Sequence, residues 1–90
     1  MTQFAIICRD VADSAPLRKA NREDHLAFLK SSENLVLAGP FIRDGAFCGS
    51  LLILEADDID AARAWAAQDP YAKGGVFESV EVIEFKTVVG

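Results

Sequence analysis

The chain lacks the features of a membrane-spanning, secreted or nucleic-acid-binding protein. None of its apolar runs approaches the ~20 residues of a membrane span. Its first residues contain no basic segment of a secretory signal. Nine basic residues against fourteen acidic ones give a formal net charge of −5, so a positive footprint for nucleic acid or an anionic membrane is missing. We therefore expect a cytoplasmic protein that binds neither nucleic acid nor membrane.

Cysteine and histidine are scarce, which limits metal binding and nucleophilic chemistry. Cys8 and Cys48 have no CxxC spacing and no clustered histidines near them, so we predict reduced thiols packed in strands. The acidic run over residues 55–60 falls where a helix is predicted to begin, and no histidine lies at ligand spacing. Carboxylates there complement the helix dipole. We predict neither a metal nor a cofactor.

The apolar fraction of 51% is sufficient for a single folded domain over residues 1–90. Helices are predicted to begin after Asp13 or Ser14, with Pro16 in the first turn, and after Asp57 or Asp58. They end near residues 31 and 68, and a loop follows over residues 71–75. Apolar runs predict strands over residues 4–8, 35–41, 47–54 and 76–89. The order β-α-β-β-α-β predicts a ferredoxin-like α+β fold, with a four-stranded antiparallel sheet and both helices on one face.

The predicted sheet is apolar on both faces. In the last strand, alternation places Val80 and Val82 on one side and Phe77, Ile83 and Phe85 on the other. Two helices cover one face only, so something else has to cover the second. A second copy of the chain, packed sheet to sheet, is the simplest cover, and we predict a homodimer.

Pro40 restricts where the second strand can lie. Its ring nitrogen cannot donate to a strand ladder, so this strand is predicted to lie at a sheet edge or to carry a bulge. The Asp44-Gly45 pair that follows predicts a hairpin into the third strand. Pro40 thereby shapes the edge of any pocket formed by this hairpin.

His25 is the obvious candidate for proton transfer, because imidazole alone has an ordinary pKa near neutrality. At ~100° per residue, it lies about 60° around its helix from Phe28 and about 40° from Leu29, at the margin of the apolar side. Two interpretations are open: a boundary histidine bonded to a backbone carbonyl, or an acid–base residue. Arg22 lies one turn earlier, either on a solvated face or placed to bind an anionic group of a substrate.

Three further residues have both a structural and a functional interpretation. Asp69 precedes Pro70 and either caps a following turn or orients the His25 imidazole, as the acid does in nucleophile triads. Ser50 either fills a tight position in the sheet or faces a ligand. Tyr71 either lines a cavity or covers the end of a helix.

Taken together, these residues resemble the YciI-like (YCII) family over nearly the whole chain. The Asp-Pro-Tyr that follows an alanine-rich helix is the most specific element. The short turn over residues 43–46 departs from relatives, which often carry a longer loop there. The matching segments, in order, are Arg22-x-x-His25-Leu26, Ala38-Gly39-Pro40, Gly49-Ser50, Ala64-Trp65-Ala66, Asp69-Pro70-Tyr71, Gly75-Val76 and Val82-Ile83-Glu84-Phe85-Lys86.

The resemblance implies a ferredoxin-like fold that dimerises through its sheets into an α/β barrel. It also implies a site with a His-Asp pair, which carries over to His25 and Asp69, while Ser50 matches a polar position. The best-defined activity of the family resembles dehydrochlorination of a chlorinated hydroxyhydroquinone. Two functions are therefore expected: a cofactor-free acid–base enzyme for elimination or isomerisation of a small cyclic or aromatic metabolite, or a non-catalytic dimeric module that binds such a ligand.

Overall fold

The computed structural model describes residues 1–90 and has the predicted α+β architecture. In chain order its elements are β1 (Thr2–Asp10), α1 (Ala15–Ser31), β2 (Leu35–Arg43), β3 (Ala46–Ala56), α2 (Ile59–Ala67), α3 (Pro70–Lys73) and β4 (Phe77–Phe85). The four strands form one antiparallel sheet in the order β2-β3-β1-β4. The ferredoxin-like fold is thereby confirmed. No helix has both the length and the apolar character needed to cross a membrane.

Alternation along β1 and β3 turns every second side chain toward the helices. Residues that face each other in the two strands, such as Ile6 and Leu52, therefore share this side of the sheet. Burial of each such side chain contributes roughly 1.5–3 kcal/mol. The small side chains of α2 let that helix lie close to the sheet. The core consists of Phe4, Ile6, Cys8, Leu52, Leu54, Ala56, Ala62 and Ala66.

Both long helices begin where the sequence predicts, but their caps differ. Asp58, rather than Asp57, caps α2 and accepts a hydrogen bond from the Ala61 backbone N–H at 2.8 Å. Ser14 occupies the N-cap position of α1 without capping it. Its hydroxyl instead donates to the Asp10 carboxylate at 2.6 Å. The start of α1 is therefore tied to the end of β1.

The prediction for Pro40 is confirmed, because β2 lies at the edge of the sheet. Near the hairpin, Phe41 pairs with Gly49 while Ile42 pairs with Phe47, so Cys48 is an extra residue in β3. This bulge moves Phe47 to the helix side of the sheet.

Three predictions about the C-terminal part are wrong. Residues 71–75 are not all loop, since α3 forms behind the Asp69 cap with Pro70 in its first turn. Phe77 does not share a face with Ile83, because a register shift pairs it with Asp10 on the helix side. β4 ends at Phe85 instead of residue 89, because its one neighbour, β1, begins at Thr2 and offers nothing further to pair with.

The sheet face away from the helices remains apolar and uncovered. Leu37, Ile83 and Phe85 are 51%, 44% and 43% exposed there. They come from both edge strands, so the apolar surface extends across the full width of the sheet.

We expect Gly49→Ala to lower the free energy of unfolding. A Cβ at this position would collide with the Cys8 carbonyl oxygen and would lie 2.9 Å from Phe41 Cδ2. The colliding atom belongs to the backbone, so the strands would have to move apart, and overpacking of this kind costs about 1–3 kcal/mol. The matched control is Gly39→Ala, because a Cβ there meets nothing within 4 Å. Urea unfolding measures both variants, and equal stabilities would contradict a close approach of β3 to β1.

Candidate active-site cleft

A cleft of about 950 Å³ opens on the helix side of the sheet, between α1 and the β2–β3 hairpin. Its volume is in the range of sites that bind small molecules. Its lining combines apolar side chains from α1 and β3 with about as many polar, charged or glycine residues, several of the charged ones from α1. Five of the residues predicted for the site line this cleft: Arg22, His25, Pro40, Ser50 and Tyr71. Arg22 and Pro40 are exposed, whereas the other three are buried.

His25 and Asp69 are in direct contact at one side of the cleft. His25 Nδ1 lies 2.7 Å from Asp69 Oδ1, and both side chains are buried. An ionised carboxylate only accepts hydrogen bonds, so we assign the hydrogen to Nδ1 and the lone pair to Nε2. Nε2 makes no hydrogen bond within the protein. Because every fully buried side-chain nitrogen does make one, Nε2 is not fully buried. Nε2 is therefore the atom that His25 presents to the cleft.

Asp69 has both roles that the sequence left open. The carboxylate oxygen that contacts His25 also accepts a hydrogen bond from the Tyr71 backbone N–H at 2.9 Å, which caps α3. The cap fixes the carboxylate, and the carboxylate orients the imidazole. Asp69 does not line the cleft but lies behind His25.

Tyr71 fixes the plane of the imidazole. The Tyr71 and His25 rings are stacked, with centroids 3.7 Å apart and an interplanar angle of 6°. Phe77 packs edge-on against the same tyrosine at 6.1 Å. Stacking on Tyr71 constrains the plane of the imidazole, and the contact with Asp69 constrains its rotation within that plane. His25 therefore has one well-defined orientation.

Arg18 is the site residue that the sequence analysis missed. It is 7% exposed, lines the cleft and binds the Asp10 carboxylate through two hydrogen bonds of 2.7 and 3.0 Å. Its Nη2 also donates to the Gly49 carbonyl oxygen at 2.8 Å and to Ser50 Oγ at 3.1 Å. Arg18 precedes His25 by seven residues, about two helical turns, and this spacing could have placed both on one face of α1.

The contacts between Arg18 and Asp10 keep both groups ionised. Burial by itself would raise the pKa of Asp10, but hydrogen bonds from Arg18 and Ser14 and the charge of Arg18 outweigh it and lower that pKa. Burial by itself would lower the pKa of Arg18, but the hydrogen bonds and charge of Asp10 outweigh it and raise that pKa. A charged pair of fixed geometry therefore lies beside the cleft at neutral pH.

Both cysteines are free thiols in strands. Burial, followed by the charges of Asp69 and Asp10, raises the pKa of Cys8 to about 12. Its thiol therefore stays protonated and contributes to the core instead of to chemistry.

The fold and the cleft define a class of protein, namely small ferredoxin-like α+β proteins with a buried His–Asp pair beside a cleft. Within this class, the chain belongs to the YCII-related domain family, whose family model matches residues 2–86. The resemblance seen in the sequence is thereby confirmed. The chain is 40% identical to Protein YciI of Escherichia coli O6:H1, in an alignment that covers 94% of this chain and 97% of that protein.

Two solved structures place the fold among known proteins. One is 5-chloro-2-hydroxyhydroquinone dehydrochlorinase (TftG) from Burkholderia phenoliruptrix AC1100, in complex with 2,5-dihydroxybenzoquinone. It is 30% identical with a TM-score of 0.86 over 93% of each chain. The other is SnoaB, a cofactor-independent oxygenase from Streptomyces nogalater, which is 17% identical with a TM-score of 0.59 over 100% of this chain and 97% of that chain. At this identity, the second likeness concerns the fold alone.

We expect Asp10→Asn to lower the free energy of unfolding by about 3–5 kcal/mol at neutral pH, because it leaves the buried Arg18 charge without its carboxylate. In the wild type, this contribution is fully present above the ordinary pKa of 3.8 and is lost as the pH falls through the lower pKa of the folded state. The stability difference between the two proteins should therefore shrink only in acid.

Urea unfolding over a pH series measures this difference. Asp60→Asn is the matched control, because the Asp60–Arg63 pair is exposed at 3.6 Å and should contribute less than about 1 kcal/mol. A difference between wild type and Asp10→Asn that does not change with pH would contradict the ion-pair explanation.

Proposed function

We propose that this protein is a cofactor-free acid–base enzyme in which His25 Nε2 takes a proton from a small cyclic substrate bound in the cleft. The observation that carries the proposal is the 2.7 Å contact between His25 Nδ1 and Asp69 Oδ1, which leaves Nε2 as a base on the cleft surface. Asp69 holds the tautomer and stabilises the imidazolium that forms. Arg22 and Pro40, exposed at the rim, contact the substrate from the open side.

The proposed chemistry balances without any added oxidant or reductant. Nε2 takes the proton of a ring hydroxyl or of an acidic C–H bond, and the freed electron pair stays in the substrate. In an isomerisation, the imidazolium returns this proton to a different atom of the ring. In an elimination, the imidazolium returns the proton to the ring carbon that bears the leaving group, which gives a keto tautomer. Nε2 then takes the proton of a second ring hydroxyl, and its electron pair forms new C=O and C=C bonds as the leaving group departs with its bonding pair.

A hydroxylated aromatic ring or quinol is the substrate class we propose. TftG acts on a chlorinated hydroxyhydroquinone and binds a dihydroxybenzoquinone, and this chain is 30% identical to it over 93% of its length. The buried aromatic ring of Tyr71 and the apolar side chains of Leu29 and Leu52 line the cleft and offer such a ring an apolar surface to pack against.

We expect His25→Ala to lower kcat about 10²–10⁴-fold on 5-chloro-2-hydroxyhydroquinone, because it removes the proton acceptor. Asp69→Asn should lower kcat at least about tenfold: asparagine still caps α3, but it removes the charge that stabilises the imidazolium. Release of chloride and appearance of the quinone measure turnover.

Asp24→Asn is the matched control for Asp69→Asn, because Asp24 is an exposed residue on the outer side of α1. Circular dichroism is used to check that each variant folds. If the wild type binds quinols and lactones saturably but consumes none of them, the protein is a binding module and the proposal fails. Equal kcat for His25→Ala and wild type would exclude His25 as the base.

We also propose that the chain forms a homodimer through the uncovered face of its sheet, giving an α/β barrel. The exposed side chains of Leu37, Ile83 and Phe85 support this, because a monomer would leave an apolar surface of full sheet width in water. The cleft lies on the opposite face, so it remains open in such a dimer.

We expect Ile83→Glu to shift the protein from dimer to monomer in analytical ultracentrifugation at micromolar concentration, because it buries a charge without a partner in the proposed interface. Val88→Glu introduces the same charge on a residue that is 86% exposed and lies beyond β4, and it should leave the dimer intact. A monomeric wild type would disprove the homodimer.

A further inference from the structure

We propose that Asn21 and Gly74 are a pair of positioning residues that set the separation between α1 and α3, and thereby hold Asp69 against His25. Neither Asn21 nor Gly74 lines the cleft, so they act on a substrate only through the imidazole. Their effect on turnover rests on the proposed function, whereas their effect on the imidazole requires no ligand.

Gly74 lies so close to α1 that a side chain has no room. A Cβ at this position would collide with Asn21 Nδ2 and would lie 2.5 Å from Cγ and 2.7 Å from Oδ1 of the same residue. All three amide atoms are too close, so turning the amide about its own bond cannot make room. The φ of Gly74 is −83°, which any residue can adopt, so the close approach is what requires glycine here.

Asn21 is held in the position that creates this close approach. Its Nδ2 donates to the Leu17 carbonyl oxygen at 2.9 Å, one turn earlier in α1. Moving the side chain aside would break this hydrogen bond, and a helix leaves few rotamers open to it. Asn21 precedes His25 by four residues, so the two side chains are neighbours on one face of α1.

The backbone of α3 connects Gly74 to Asp69. The Gly74 N–H donates to the Pro70 carbonyl oxygen at 2.8 Å, and the Lys73 N–H donates to the Asp69 carbonyl oxygen at 3.0 Å. The Asp69 side chain is fixed to the same turn, because it accepts from the Tyr71 backbone N–H at 2.9 Å. A displacement of α3 at Gly74 therefore also displaces the carboxylate.

A displacement of this kind is large enough to break the contact between His25 and Asp69. To bring a Cβ at Gly74 from 2.5 Å to an ordinary separation of roughly 3.5 Å from Asn21 Cγ, α3 has to move by about 1 Å. The distance from His25 Nδ1 to Asp69 Oδ1 is 2.7 Å, and a hydrogen bond is lost at about 3.6 Å. The contact in the site is thus as sensitive to the separation of the two helices as the contact outside it.

Nitrogen NMR of the imidazole tests this role, and His25 is the only histidine of the chain, so its signals need no assignment. In the wild type, the neutral ring should have its hydrogen on Nδ1, where Asp69 accepts it. We expect Gly74→Ala to lower the ratio of this tautomer to the Nε2–H tautomer about tenfold, since it removes a hydrogen bond to a charged acceptor. We also expect kcat on 5-chloro-2-hydroxyhydroquinone to fall about tenfold, because the base is displaced.

A compensating variant separates positioning from a general loss of stability. Asn21→Ala combined with Gly74→Ala removes the amide that the new Cβ would meet, so it should restore the tautomer ratio and kcat to within about twofold of the wild type. Ile53→Val is the matched control, because it trims a buried side chain outside the cleft. It should lower the free energy of unfolding but leave the tautomer ratio and kcat unchanged.

The positioning role is overturned if Gly74→Ala lowers stability without changing the tautomer ratio, or if the double variant retains the altered ratio. If Gly74→Ala alone does not fold, the double variant still decides, because it has to fold and show the wild-type ratio. A tautomer ratio that responds as expected in a protein without turnover would overturn the proposed enzyme and leave the positioning role standing. Turnover by the wild type with no change of the ratio in Gly74→Ala would do the reverse.

Discussion

The buried ion pair between Arg18 and Asp10 fixes the position of α1, on which the rest of the cleft depends. Asp10 ends β1, Arg18 lies in the first part of α1, and the same guanidinium bonds to Gly49 and Ser50 of β3. Two strands and a helix are therefore joined by one planar cation. Since α1 is rigid along its length, fixing its first turns also determines where His25 lies, two turns later.

At the other end of the cleft, the four-residue helix α3 helps to position the imidazole, although so short a helix is not stable by itself. Alone, α3 would be unstable, because so short a segment cannot offset the cost of helix nucleation. It is held by its Asp69 cap and by the packing of Tyr71 between His25 and Phe77. The groups that stabilise this turn are thus the groups that orient the imidazole, so local folding and the geometry of the site cannot be separated here.

Much of this arrangement could be predicted from local sequence, and the remainder depends on contacts between distant residues. Alternation and the missing N–H of Pro40 correctly place the strands and the edge of the sheet. The sheet face on which Phe77 lies could not be predicted. One extra residue in a strand moves every side chain beyond it to the opposite face of the sheet. Arg18 was missed because its bonding partners in β3 are more than thirty positions away, although its spacing from His25 was visible. Family resemblance suggested the His25–Asp69 pair, but its 2.7 Å separation follows only from the folded chain.

The two walls of the cleft come from different parts of the chain, and this division has an evolutionary consequence. One wall, from α1 and α3, presents His25 and Tyr71, with Asp69 behind His25; the other is the β2–β3 hairpin with Pro40, Phe47 and Ser50. The hairpin ends in a tight turn at Asp44-Gly45, where insertions disturb no packed element. Related sequences can therefore change the shape of one wall of the cleft by lengthening or trimming this turn, without altering the contact between His25 and Asp69.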